Sequence, residues 1–384
     1  MSFVGNWSYP TAVRFGPSRI SELAEACAAA GIARPLFVSD RGLEGAVITE
    51  HARGLLRDAG LGDAAFFDVA PNPTEANLAA GIEVFRAGGH DGIVAFGGGS
   101  ALDLGKLIGF QAGQRRPVWD FEDVGDWWTR ADGEAVAPSV CVPTTAGTGA
   151  EVGRAGVLTD TALHRKKIIF HPKMMPSVVI CDPELTCGLP KALTVGTGFD
   201  ALAHCLEAYT APGWHPQAEG IALQGLRLCF DHLETAAERS DDLEARSALM
   251  AAALMGATAF QRGLGAIHSL SHPIGAHHDT HHGTTNAVVM PAVLRFNREV
   301  SETRLAEAAA YCGMERSWDA LYARVLELRA RLGVPDTLAG LGVPREGIEA
   351  LAPEAVADPT AGSNARPFNE ADAARLLAEC FEPN

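Results

Sequence analysis

The chain has 384 residues, 47% hydrophobic and 20% charged, with 47 acids against 31 bases and a formal charge of −16. That length suits two cores rather than one. The acid excess disfavours nucleic acid or an anionic membrane as the main partner, because phosphates are repelled by a negative surface. No run approaches the roughly 18 apolar residues needed to cross a bilayer. The start, Met1-Ser2-Phe3-Val4-Gly5-Asn6, has no basic region followed by an apolar stretch, so no signal peptide is expected. The eight cysteines form no CxxC pair and read as small buried residues of a reduced, cytoplasmic protein.

In chain order, Arg34 to Ser39 is strand-like and a helical stretch covers Glu44 to Ala59. Ala64 to Val69 is a second strand, and Pro71-Asn72-Pro73-Thr74 turns into a helix over Glu75 to Ala87. Gly92 to Phe96 is continuously apolar, as expected of a strand covered on both faces. Val140 to Pro143 is a further strand. The alternation predicts a parallel sheet flanked by helices. The texture changes near Cys181 to Glu184. Beyond it lie Ala/Leu/Glu/Arg-rich helical stretches at Ala201–Thr210, Gln217–Arg239, Leu243–Arg262, Ser317–Leu332 and Glu370–Cys380. An α/β domain over residues 1–184 and an all-α domain over residues 185–384 are therefore expected. The turn-rich segment Asp358 to Asn364 reads as a mobile loop.

The strand at Gly92–Phe96 runs into Gly97-Gly98-Gly99-Ser100 and then into helical spacing. Three glycines let backbone approach a ligand closely, and a new helix offers free N–H groups to a pyrophosphate. Ser100 and Asp103 also fit a capping box, so a plain strand-to-helix turn is the competing reading. The pattern is not GxGxxG. The loop Pro143 to Glu151 supplies Thr144, Thr145, Thr148 and two glycines, equally consistent with cofactor contact or a simple connection. Asp40 ends the first strand. An acid there suits ribose hydroxyls and repels a 2′-phosphate, favouring NAD over NADP; it equally suits a helix N-cap.

Six of the thirteen histidines fall between His268 and His282. His268 and His272 are four apart and share a face if helical, although Pro273 threatens that helix. His282 precedes Gly283 in a polar turn. Asp200 and His204 are also four apart, at the start of a helical run. One carboxylate with several neutral imidazoles suits Fe²⁺ or Zn²⁺ far better than Ca²⁺ or Mg²⁺. Each pair alone also fits a helix N-terminal acid and a satisfied core histidine. His277, His278 and His281 cannot all join one coordination shell and read as residues around it.

Several motifs together resemble the iron-dependent (group III) alcohol dehydrogenases: Phe15-Gly16-Pro17, Pro71-Asn72-Pro73-Thr74, GGGSALDLGK at 97–106, PTTAGTGAE at 143–151, GTGFDALAHCLEAY at 196–209, and HSLSHPIGA with HHGTTNAVVMP at 268–291. The resemblance spans nearly the whole chain. It implies a dehydroquinate synthase-like architecture, with the active site in the cleft between the two domains. It further implies metal ligation by Asp200, His204, His268 and His282. NAD would be bound by Asp40, Asn72, Gly97, Gly98, Gly99, Ser100, Asp103, Thr144, Thr145, Thr148 and Lys166, with Asp103 toward the nicotinamide and, with His272, a candidate catalytic residue. His272 would be a histidine beside the metal and the candidate proton relay. A small alcohol or aldehyde would be the substrate, Fe²⁺ the metal with Zn²⁺ the alternative, and a homodimer the assembly. The chain departs from the usual pattern at Gly153, where threonine is common. His278 stands where relatives carry an aromatic residue, and His281 where they carry proline. The last two bear on the substrate pocket. A maleylacetate-reductase-like enzyme, whose activity would survive a chelator, is the alternative, followed by a dehydroquinate-synthase-like lyase that retains its NAD.

Overall fold

The computed structural model describes residues 5–7, 11–163 and 165–383. The chain forms two compact units. One comprises Met1–Thr145 with Gly149–Cys187, the other Ala146–Thr148 with Gly188–Asn384.

The first unit contains β1 (Gly5–Trp7), β2 (Ala12–Phe15), α1 (Leu23–Ala29), β3 (Pro35–Val38), α2 (Val47–Asp58), β4 (Ala65–Phe66), α3 (Glu75–Ala87), β5 (Gly92–Gly97) and α4 (Gly99–Gln111). There follow β6 (Ser139–Pro143), β7 (Ala155–Asp160), β8 (Arg165–Phe170) and β9 (Val178–Cys181). Seven strands make one sheet in the order β1-β2-β9-β6-β5-β3-β4. Its pairings are parallel except β1 with β2.

The pleat sorts the apolar runs onto two faces. Phe37, Val94, Phe96, Val140, Val142 and Ile180 join one core with Leu23, Cys27, Ala52 and Leu56 of α1 and α2. Their strand neighbours Leu36, Val38, Ile93, Ala95 and Cys141 join another with α3 and α4. The central strands therefore carry apolar side chains on both faces, apart from the buried Ser139 that opens β6, since no face is left to solvent. Ala101 to Phe110 of α4 is buried throughout. Each buried leucine or isoleucine there contributes about 1.5–3 kcal/mol of transfer free energy. Gly105 allows the close fit, because a Cβ on it would lie 2.7 Å from the Ala95 Cβ.

The β7–β8 hairpin is a separate antiparallel pair that the sequence pattern did not signal. It is tied to the Pro71–Thr74 turn by a hydrogen bond from Thr159 N–H to the Pro73 carbonyl at 2.7 Å.

The second unit is helical: α5 (Lys191–Thr210), α6 (Pro216–Glu238), α7 (Leu243–Ala259), α8 (Ala266–His278), α9 (His282–Tyr311), α10 (Trp318–Arg331), α11 (Ala352–Ala357) and α12 (Glu370–Glu379). Two local expectations are corrected. His282 opens the thirty-residue α9 rather than sitting in a turn, with the His281 Nδ1 accepting from Thr284 N–H as its N-cap. The segment expected to be a mobile loop is a short 3-10 turn over Pro359–Ser363. Its flanking Asn364 is buried, accepting from the Ala266 and Asn297 side-chain or backbone donors and donating to the Asn297 and Arg366 oxygens. α8 runs through Pro273 without ending there.

Candidate metal centre and nucleotide loops

In the first unit, β3, β5 and β6 deliver their C-terminal ends to one place, the usual ligand edge of an open parallel sheet. Gly97 closes β5 at φ +144°, which only glycine adopts readily. Gly98 is the N-cap of α4 and Gly99 its first residue. The proposed Ser100–Asp103 capping box is not formed. Ser100 lies inside the first turn and its hydroxyl donates to the Pro71 carbonyl at 2.6 Å, linking this turn to the one holding Asn72. The Thr144 N–H donates to the Gly97 carbonyl at 2.9 Å. The Thr145 side chain lies 3.4 Å from where a Gly98 Cβ would be. Asp40 makes no side-chain cap bond to the 3-10 turn that follows it. Its carboxylate instead sits beside Gly97, 3.3 Å from the place of a Cβ there.

Both carboxylate oxygens of Asp103 have protein partners. One oxygen pairs with Lys106 at 3.0 Å and the other accepts from Val157 N–H at 3.1 Å, pinning the hairpin to α4. Lys166 lies on β8 opposite Thr159, beside the Asn72 turn. Thr148 falls in the short segment that belongs to the helical unit. Asp40, Asn72, Gly97 to Ser100, Thr144 and Thr145 thus lie at neighbouring strand ends and turns of the first unit, with Lys166 on β8.

In the helical unit, Asp200, His204 and Glu207 share one face of α5 at helical spacing. α8 presents His268 and His272. α9 reaches the same place because two glycines meet. A Cβ on Gly283 would lie 2.0 Å from the Gly196 carbonyl oxygen. That backbone contact sets His282 beside Asp200. A single oxygen of Asp200, Oδ1, then faces the Nε2 atoms of His204, His268 and His282 at 3.7, 3.6 and 3.4 Å. Ligand atoms about 2.1 Å from one tetrahedral cation are about 3.4 Å apart, so the spacing matches a shared ion. Asp200, His204 and His268 are buried and close enough to hold one, while His282 is partly exposed. The Asn286 side-chain amide donates to Asp200 Oδ1 at 2.9 Å, and its own Oδ1 is buried without a partner. Its Nδ2 also lies 3.2 Å from His282 Nε2. One carboxylate, three imidazoles and an orphaned amide oxygen fit a borderline divalent cation such as Fe²⁺ or Zn²⁺.

The electrostatics follow from burial and neighbours. Burial alone would raise Asp200, but the surrounding imidazoles outweigh it and hold the carboxyl far below its usual range. Burial pushes His204 down to about 4 against the pull of Asp200. Burial also opposes a charge on His268, yet Glu207 and Asp200 outweigh it and lift that ring to about 9.

Three residues escaped the sequence reading. Glu207 accepts from His268 Nδ1–H at 2.6 Å. Its signal was available, seven residues after Asp200 on the same helical face. Asn286, four residues after His282, was legible in the same way once α9 was known. Asp358 accepts from His272 Nδ1–H at 2.7 Å, and no local pattern announces that pairing. Burial disfavours ionised Asp358, but His272 and Thr360 hold it down to about 2, so the carboxylate accepts and the His272 Nδ1 donates. His277 turns away to pair with Glu354 at 3.1 Å, and His281 is occupied as the α9 cap.

One unit is thus a glycine-turn parallel sheet of nucleotide-binding type, and the other carries an imidazole–carboxylate cluster that could hold a metal ion. Residues 10–183 match the family described as iron-containing alcohol dehydrogenase. Residues 194–381 match the C-terminal part of the Fe-containing alcohol dehydrogenase family. The chain is 38% identical over 382 residues to 4-hydroxybutyrate dehydrogenase of Cupriavidus necator, covering 97% of this chain and 98% of that protein. It is 34% identical to the NAD-dependent methanol dehydrogenase of Bacillus methanolicus over 97% of this chain and 98% of that one. The solved structure of a 1,3-propanediol oxidoreductase superposes with a TM-score of 0.91 at 35% identity, covering 96% of this chain and 97% of the other. This chain belongs to the iron-containing alcohol dehydrogenase family.

Proposed function

We propose that the protein transfers a hydride between a small primary alcohol or its aldehyde and NAD(H), at a centre where Asp200, His204, His268 and His282 hold one Fe²⁺ or Zn²⁺. The observation that carries this reading is the convergence of three Nε2 atoms on Asp200 Oδ1 within 3.7 Å. When bound, the cation supplies Lewis-acid stabilisation of charge at the alcohol oxygen. His272, its Nδ1–H held by Asp358, presents Nε2 as the acceptor that takes the alcohol proton for delivery to solvent. Residues 1–184 act as the dinucleotide domain and 185–384 as the metal domain. Asp40 takes the adenosine ribose, Gly97 to Ser100 the pyrophosphate, and Asn72, Asp103, Thr144, Thr145, Thr148 and Lys166 complete the cofactor contacts. The buried donor cluster favours this reading over a metal-free reductase of the maleylacetate type.

No described helix is long and apolar enough to cross a membrane, and all eight cysteines are free thiols. A cytoplasmic homodimer is part of the same proposal, resting on those thiols and on family resemblance.

The test is metal analysis of protein purified without oxygen, paired with NAD-coupled turnover of a panel of alcohols. His268→Ala should lose bound metal and turnover together. Full turnover by a metal-free His268→Ala would refute the reading.

A further inference from the structure

We propose that Glu207 is the positioning residue of the metal centre, fixing the tautomer and ring plane of His268 and thereby how tightly the cation is held. The inference rests on the metal-centre reading above and adds a residue outside the donor set.

The geometry is two-handed. Glu207 Oε2 accepts from His268 Nδ1–H at 2.6 Å, and Oε1 accepts from Ile267 N–H at 2.6 Å. The carboxylate is 5% exposed. It therefore binds the imidazole and, through the adjacent backbone, the first turn of the helix that carries it. The next free N–H of that turn, on Ala266, is taken by the Asn364 Oδ1 at 3.0 Å. Gly265 makes room for both acceptors. A Cβ there would lie 3.0 Å from Glu207 Oε1 and 2.6 Å from Asn364 Oδ1.

The consequence for ligation is direct. In the neutral ring Glu207 holds the proton on Nδ1, which leaves Nε2 as the acceptor nitrogen, facing Asp200 Oδ1 at 3.6 Å and Asn286 Nδ2 at 3.4 Å. A carboxylate behind a ligating histidine fixes the ring and strengthens it as a donor. His204 differs, since no carboxylate stands behind its ring and the Gly147 backbone is its partner instead. Of these two buried imidazoles, only His268 has a carboxylate on its Nδ1 as well as Asp200 facing its Nε2. Glu207 also lies on the same rigid helix as Asp200 and His204. It locks a ligand of α8 to the two ligands of α5.

Glutamine is the informative replacement. Glu207 serves two donors with two acceptors, whereas an amide offers one acceptor and one donor. In Glu207→Gln, either the Ile267 N–H or the His268 Nδ1–H meets an N–H. Relief on the imidazole side requires moving its proton to Nε2, the atom that must face the cation.

The experiment uses the full chain, stripped and reloaded anaerobically with Fe²⁺ or Co²⁺, with affinity read by chelator competition. Glu207→Gln is expected to bind either ion roughly 10–100-fold more weakly than the wild type. A purely structural cap would instead lower the thermal midpoint of the stripped protein and leave the affinity of the folded fraction unchanged. The Co²⁺-loaded wild type is expected to show a hyperfine-shifted imidazole N–H resonance that exchanges slowly with solvent, and Glu207→Gln to lose it. Unchanged affinity in folded Glu207→Gln overturns the inference. So does an N–H exchanging at the solvent rate in the wild type, a measurement that decides the matter even where the variant does not fold. A wild type that binds neither ion overturns the metal-centre reading itself, whereas equal binding by both proteins removes only the role of Glu207.

Discussion

Glu151 offers a clean quantitative test of the packing behind the nucleotide loops. It sits at the end of the Thr144–Thr148 loop and is 2% exposed. Burial raises its carboxyl to about 7, Lys106 pulls the other way, and Asp103 adds to the rise. Lys106 is itself engaged, donating to the Ala150 and Ala155 carbonyls and pairing with Asp103. An acid whose folded pKa is raised binds more protons folded than unfolded between the two values. Stability from this group is thus complete below the unfolded value of 4.5 and is lost as pH rises through 7. A shift from 4.5 to about 7 corresponds to about 3 kcal/mol. Glu151→Gln removes the titration but keeps the shape. Its own packing cost is the same at every pH and cancels in the comparison. Denaturation of both proteins at pH 5 and pH 8 should show the variant gaining about 2–3 kcal/mol on the wild type between them, the remainder lying below pH 5. Infrared difference spectra should show a protonated carboxyl band disappearing near pH 7 in the wild type alone. A stability difference that does not change with pH would mean that Glu151 is ionised throughout, and the argument from burial would fail.

Two further outcomes follow from the sites. Asp40→Ser removes a negative charge from the end of the loops proposed to take the ribose, and a unit charge near a protein surface is worth about 1–4 kcal/mol against another at contact. The ratio of kcat/KM for NADP over NAD should rise by roughly 10- to 100-fold, and an unchanged ratio would remove Asp40 from the cofactor site. Asp358→Ala should lower turnover by about 10²-fold, since His272 loses the partner that orients it. Its metal content should stay at the wild-type level, and turnover equal to wild type would show that His272 needs no fixed tautomer.

The central strands were legible because both faces of β3, β5 and β6 are covered, leaving unbroken apolar runs such as Gly92 to Phe96. The β7–β8 hairpin was not, because its strands carry an alternating and partly exposed pattern, with Arg165, Lys166 and Lys167 at the return. α9 was hidden by its opening, where His, Gly and Thr imitate a polar turn, although His281 caps it and Asn286 already lies inside. Within the site, spacing of four exposed Asp200 with His204, and His268 with His272. It could not show that these pairs meet, since the meeting depends on the Gly196–Gly283 backbone contact. Asp358 pairs with His272 across 86 residues and was beyond any local rule.

The charge balance of the centre explains why the donors are arranged as they are. Asp200 and Glu207 are two carboxylates 3% and 5% exposed on one helix. Their ion-pair partners are imidazoles rather than arginine or lysine. Buried anions are costly unless a positive charge lies against them, and a neutral imidazole brings none. A proton on His268 answers part of that demand, and a divalent cation among the same Nε2 atoms answers all of it with both carboxylates ionised. The same two anions would be a defect in a purely structural core, where volume-matched apolar side chains pack at lower cost. Their placement on one face of α5, one oxygen turned to three ring nitrogens and another carboxylate behind one of those rings, is the arrangement that the proposed cation would balance and that packing alone does not explain.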